Sequence, residues 1–151
     1  MNSIKNILVA VDFGVDDQVL LGRASQLAEK FNAKIWVVHI AAPDPDFVGY
    51  EPGPQYIRDF RAEDLRTEHK ALKAYAENLG KSGIEAEGLL IQGPTVATIL
   101  EEATKLSIDL FVVGTHKHGF LHRLFNENTP IELAKKSNIP LLVIPLGEKG
   151  S

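Results

Sequence analysis

Five short apolar runs alternate with longer stretches in which apolar residues recur every three or four positions. The first run, Asn6 to Asp12 (NILVAVD), shows no apolar/polar alternation. Unbroken apolarity over so few residues predicts a strand covered on both faces. Leu20, Ala24, Leu27, Ala28 and Phe31 then fall on one helical stripe. Ala33 to Ile40 (AKIWVVHI) predicts a second buried strand. A long helix is expected from about Tyr56 to Leu79, where Leu65, His69, Leu72, Ala76 and Leu79 recur at three- and four-residue steps. Gly80 or Gly83 stops it. Ile84 to Ile91 reads as a third strand, more polar than the others and so placed at a sheet edge. After the Gly93-Pro94 turn, Val96, Ile99, Leu100 and Ala103 mark a short amphipathic helix. Ile108 to Val113 is the predicted fourth strand, with its most apolar part at Leu110 to Val113, and Pro140 to Pro145 is the fifth. Between them lies a helix from Thr129 to Lys136, with Thr129 as N-cap, Pro130 at the first helical position and Glu132 closing a capping box.

Strand and helix alternate throughout, which predicts an α/β fold: a three-layer sandwich with helices on both faces of a five-stranded, mainly parallel sheet. Right-handed crossovers and an edge position for the third strand give the order 3-2-1-4-5. The order reverses between the first and fourth strands, so Asp12 and Gly114 should stand side by side at the switch point, where ligands of such sheets bind. Gly114 then reads as the start of a polar, His-rich turn whose N–H groups approach an anion, helped by the N-terminus of the last helix. The segment Ala41 to Gln55, with Pro43, Pro45, Pro52 and Pro54, leaves the same rim. Its Phe47 and Tyr50 either cover a ligand there or pack on their own domain. Residues 1–146 are expected to form a single domain, with 147–151 a tail.

Composition narrows the chemistry. The 151 residues suit one domain and carry no Cys, which excludes disulfides, thiolate metal sites and Cys nucleophiles. A net charge of -4 and a pI near 5.7 disfavour nonspecific nucleic-acid binding. No apolar run reaches membrane-spanning length and no signal-peptide pattern opens the chain, so the expected location is cytoplasmic, with neither membrane nor nucleic acid as partner.

Motifs exclude more than they select. No Gly-rich loop ends in Lys-Ser/Thr, and the first turn, Asp12-Phe13-Gly14-Val15, lacks dinucleotide glycine spacing. There is no Gly-x-Ser-x-Gly nucleophile turn. The fourth strand ends in Gly114 and the third in Gln92, which excludes a phosphoacceptor receiver. His116, His118 and His122 cluster, but no Cys or spaced carboxylate completes a metal site, and no metal is expected. His39 and His69 read as packed or solvated.

Four stretches together resemble the universal stress protein family: ILVAVDFG, WVVHI, Gly93-Pro94 with Ile99, and LFVVGTHKHG with the closing IPLLVIP. The resemblance runs in order over nearly the whole chain. It implies a five-stranded α/β fold, a homodimer built through the last strand, Leu141–Ile144, and a non-enzymatic role in stress tolerance. An apolar final strand left unpaired in a monomer fits that dimer.

Members of the family that bind ATP carry Gly, two residues, Gly, nine residues, then Gly-Ser or Gly-Thr after the fourth strand. Laid on this chain, these positions are Gly114, Lys117, Glu127 and Asn128, with Gly119 two places late. This is a degenerate form of the motif. Glu127 sets a carboxylate where phosphate oxygens would lie, and like charges at that range repel strongly. Lys117 loses glycine's backbone freedom yet offers a cation. The resemblance also places Asp12 near a ribose, Ala10 and Ile40 beside an adenine, and Val113, Gly114, His116 and Lys117 along the strand end and phosphate turn. Gly119, Asn128 and Thr129 complete the candidate nucleotide site. Asp12 has a second reading, as a cap on the first helix. Two functions follow: a dimeric stress protein with a weakened or lost nucleotide site and an unidentified protein partner, or an ATP/AMP-binding sensor with slow ATP hydrolysis. The second reading expects Gly114→Val to abolish binding and leave the fold intact.

Overall fold

The computed structural model describes residues 3–41, 55–116 and 128–146. Nine elements follow in the order β1 (Asn6–Ala10), α1 (Asp17–Phe31), β2 (Lys34–Ala41), α2 (Gln55–Lys81), β3 (Ala86–Gln92), α3 (Thr95–Leu106), β4 (Leu110–His116), α4 (Asn128–Lys136) and β5 (Leu141–Leu146). The strands form one sheet in the order β3-β2-β1-β4-β5. Every pairing is parallel.

The unbroken apolar runs have the expected cause: the sheet is covered on both faces. Ile7, Val9 and Val11 of β1 and its exit pack with Leu20, Leu21, Ala24 and Leu72 on the α1–α2 face. Leu8 and Ala10 point the other way and join Val38, Phe111, Ile99 and Leu133 on the α3–α4 face. Each of the buried Val, Leu, Ile and Phe side chains, removed from water, stabilises the fold by roughly 1.5–3 kcal/mol. Gly88 brings α2 against β3, since a Cβ there would lie 2.8 Å from the Leu72 carbonyl oxygen. β3 is an edge strand, as its polarity predicted, and Lys34 of β2 bridges to Glu87 on it at 3.0 Å.

Three local expectations need correction. Phe31 keeps the helical spacing of α1 but is 42% exposed, because it lies in the last turn, ahead of left-handed Asn32. Leu21 is the buried member that the stripe omitted. α4 begins at Asn128, so Thr129 is not its N-cap but lies inside the first turn and is buried.

The largest correction concerns β4. The strand does not end at Val113. It continues through Gly114, Thr115 and His116, which pair with Ile144, Pro145 and Leu146 of β5. Pro145 is tolerated because β5 is an edge strand. Gly114 is therefore a residue inside a ladder, not the first residue of a turn. A Cβ at Gly114 would overlap Cδ1 of Leu146 and lie 3.4 Å from Cδ2 of Leu20. The space where its side chain would stand is filled by apolar packing from α1 and β5, so Gly114→Val must displace Leu146 and destabilise the fold.

Candidate functional site

The strand order reverses between β1 and β4, and the helices that follow them, α1 and α4, pack on opposite faces of the sheet. At the carboxyl end of β1, Val11 still donates to the Val38 carbonyl of β2 at 2.9 Å. Asp12 follows as the first residue beyond that bond. Its Oδ1 accepts the Gly14 N–H at 3.2 Å, closing a tight turn on itself. Asp16 is the N-cap of α1. The reading of Asp12 as the helix cap is thereby corrected: its carboxylate shapes the turn before the helix.

The turn rests on polar groups buried beneath it. Asp17, the first residue of α1, is 1% exposed. Its Oδ2 accepts the Tyr75 hydroxyl of α2 at 2.8 Å, and its Oδ1 accepts the Asp12 N–H at 3.4 Å. Burial raises the Asp17 pKa above the usual carboxylate value. The Tyr75 hydroxyl opposes that shift and the nearby Asp12 carboxylate adds to it. Burial, and then Asp17, push the Tyr75 hydroxyl well above its ordinary value. Between Asp12 and Gly14, Phe13 has φ 63°, a left-handed conformation uncommon outside glycine. Its ring lies 4.4 Å from the His39 ring and 6.3 Å from the Tyr75 ring. His39 is packed, one of the two readings its sequence position allowed: its Nδ1 donates to the Val11 carbonyl at 2.8 Å. Its Nε2 stands 3.7 Å from Glu68 of α2.

The other candidates divide into three groups. Ala10, Ile40 and Val113 share the α3–α4 face and are 3%, 0% and 0% exposed, so their strand ends rather than their side chains border the switch point. Gly114 and His116 are ladder residues of β4, and Asn128 and Thr129 open α4. Lys117, Gly119 and Glu127 lie outside the described residues, as do Phe47, Tyr50, His118 and His122. Among the described residues no group of His, Asp and Glu side chains is arranged to hold a metal, and no helix is long and apolar enough to cross a membrane.

Sequence alone assigned no role to Asp17, Tyr75 or Glu68. Asp17 carried a readable signal: an acid four residues before Leu21 on the core-facing stripe of a helix. Tyr75 stands three residues after Leu72 and four before Leu79, in line with the buried face of α2. His39 was legible as the polar residue in an otherwise apolar strand.

Known proteins share both the sequence and this architecture. Residues 3–145 match the model of the Universal stress protein family. The chain is 34% identical over 122 residues to universal stress protein A homolog 1 of Coxiella burnetii, covering 80% of this chain and 82% of that protein. The solved universal stress protein UspA of Lactobacillus plantarum superposes with a TM-score of 0.76 at 19% identity, over 95% of this chain and 99% of that one. A universal stress protein from Archaeoglobus fulgidus, solved in complex with dAMP, superposes with a TM-score of 0.62 at 18% identity, over 95% and 99%. The family match spans both sides of the switch point and all nine elements but the last residue of β5: the chain belongs to the universal stress protein family.

Proposed function

We propose that this protein is a non-catalytic, cytoplasmic stress-response protein that works as a homodimer, with a nucleotide site weakened for ATP and less damaged for AMP. The observation that carries the reading is the packing of Gly114. It is the one glycine of the ATP-type pattern that this chain keeps, and Leu146 and Leu20 already occupy the space beside it. Its retention is explained by packing and lends no support to a phosphate turn. The β1 end tells the other way: Asp12 sits in a built turn at the switch point, where the dAMP complex of the Archaeoglobus relative makes an adenine mononucleotide a reasonable ligand. A monophosphate also brings fewer negative charges than a triphosphate to a motif in which this sequence carries an acid, Glu127, at the third glycine position.

The dimer rests on β5. It is the sheet edge next to β4, its Val143 is 38% exposed, and Ile131 of α4 is 53% exposed. An unpaired apolar edge is a template for pairing with a second copy. Light scattering at micromolar concentration should return twice the 16.6 kDa chain mass, and a monomeric mass would reject the dimer.

Thermal melts with added ligand test the nucleotide reading, because a ligand that binds only the folded state raises Tm. At equal millimolar concentration, AMP should raise Tm more than ATP does. A larger rise with ATP would favour the ATP sensor instead.

A further inference from the structure

The turn that carries Asp12 is held from below by α2 through a carboxylate that packing alone does not call for. Asp17 lies on the core-facing stripe of α1, where an apolar side chain would fill the space without the cost of burying an acid. Instead it joins two elements: the Tyr75 hydroxyl donates to Oδ2 and the Asp12 main-chain N–H donates to Oδ1. Asp12 in turn accepts from Gly14, so its backbone and its carboxylate are both tied. Phe13, between them, is left-handed, and its ring packs on those of His39 and Tyr75. Backbone strain and a buried acid with a raised pKa, brought together at a switch point, mark a place where geometry is being held for use.

We propose that Tyr75, acting through Asp17, is the positioning residue that orients Asp12 at the switch point, so that α2 sets the affinity of the site for the ribose of a nucleotide. The proposal rests on the nucleotide reading above. Tyr75 does not touch the ligand; it acts through the turn.

The variant that isolates the effect is Tyr75→Phe, which keeps the ring against Phe13 and removes only the hydroxyl. Calorimetric titration of the full chain should use AMP and its 2′,3′-dideoxy analogue, which lacks the hydroxyls an oriented carboxylate would accept from. Tyr75→Phe should weaken AMP by about tenfold, the loss of one charge-assisted hydrogen bond's worth of orientation, and the analogue by less than about twofold. Equal weakening of both, or of neither, overturns the proposal, since a merely structural role moves the two alike. Amide hydrogen exchange supplies the readout that does not need a ligand. In Tyr75→Phe, the Asp12 and Gly14 amides should exchange at least about fivefold faster, with Ile7 to Val9 unchanged. Unchanged exchange at Asp12 and Gly14 also overturns it. If the wild type binds neither compound, the nucleotide reading fails and the exchange rates alone decide the role of Tyr75.

Discussion

The two ends of the switch point are built from opposite materials. At the end of β1, the chain from Val11 to Asp17 holds a strained Phe13 and a buried carboxylate, tied to β2 through His39 and to α2 through the Tyr75 hydroxyl. At the end of β4, the backbone continues as an ordinary ladder, and Leu146 and Leu20 close over Gly114. One side keeps polarity and strain that folding does not need; the other has converted a motif glycine into apolar packing. The lesson is that a glycine in a motif carries functional information only when the space beside it is open. Where neighbouring side chains fill that space, the glycine belongs to the core.

Breaking the β4 side should have the largest effect. Gly114→Val forces its side chain into Leu146 and Leu20, and overpacking of this kind costs about 1–3 kcal/mol or more. Thermal denaturation should show a Tm lower by several degrees, since about 1 kcal/mol shifts a domain of this size by roughly 2–4 °C. Adding Leu146→Ala should recover part of the loss, and strictly additive effects would mean that the two residues do not share the space. On the β1 side, Phe13→Ala keeps the left-handed strain and loses the ring contacts, whereas Phe13→Gly loses the contacts and the strain together. Urea unfolding should find Phe13→Gly more stable than Phe13→Ala by about 1 kcal/mol, against the usual advantage of Ala. The reverse order would show that the φ of 63° costs nothing here.

The smallest effect is a pH dependence. The folded-state pKa of Asp17 is raised above the unfolded carboxylate value near 3.8. The group therefore contributes most to stability below that value, and the contribution is lost as pH rises through the raised folded value. Asp17→Asn has no such titration. Chemical unfolding across the acid range should show the wild type losing stability relative to Asp17→Asn as pH rises from below 3.8 toward neutrality. A gap that does not change with pH would mean that Asp17 titrates alike in both states.

Most of the architecture was legible because it is written in periodicity. A run such as NILVAVD has no polar face, so it demands cover on both sides, and a more polar third strand demands an edge. The length of β4 was not legible. Gly114-Thr-His reads as a turn by composition, and only the partner strand β5, remote in sequence, extends the ladder through it. Thr129 looked like a cap for the same reason: local chemistry is right, but the helix starts one residue earlier. Asp12 was found through its place at a strand end. Its support was missed because Asp17 and Tyr75 lie 58 residues apart and meet only when α2 packs beside α1. The family resemblance pointed to the rim of a candidate site, while the groups that hold the Asp12 turn in shape came from packing.

Isothermal titration of AMP and of ATP into the purified wild-type protein reads the nucleotide preference of the site without any substitution. AMP should bind measurably but weakly, and ATP more weakly still. Micromolar ATP binding, tighter than AMP, would contradict this order and show that a triphosphate is accommodated despite Glu127.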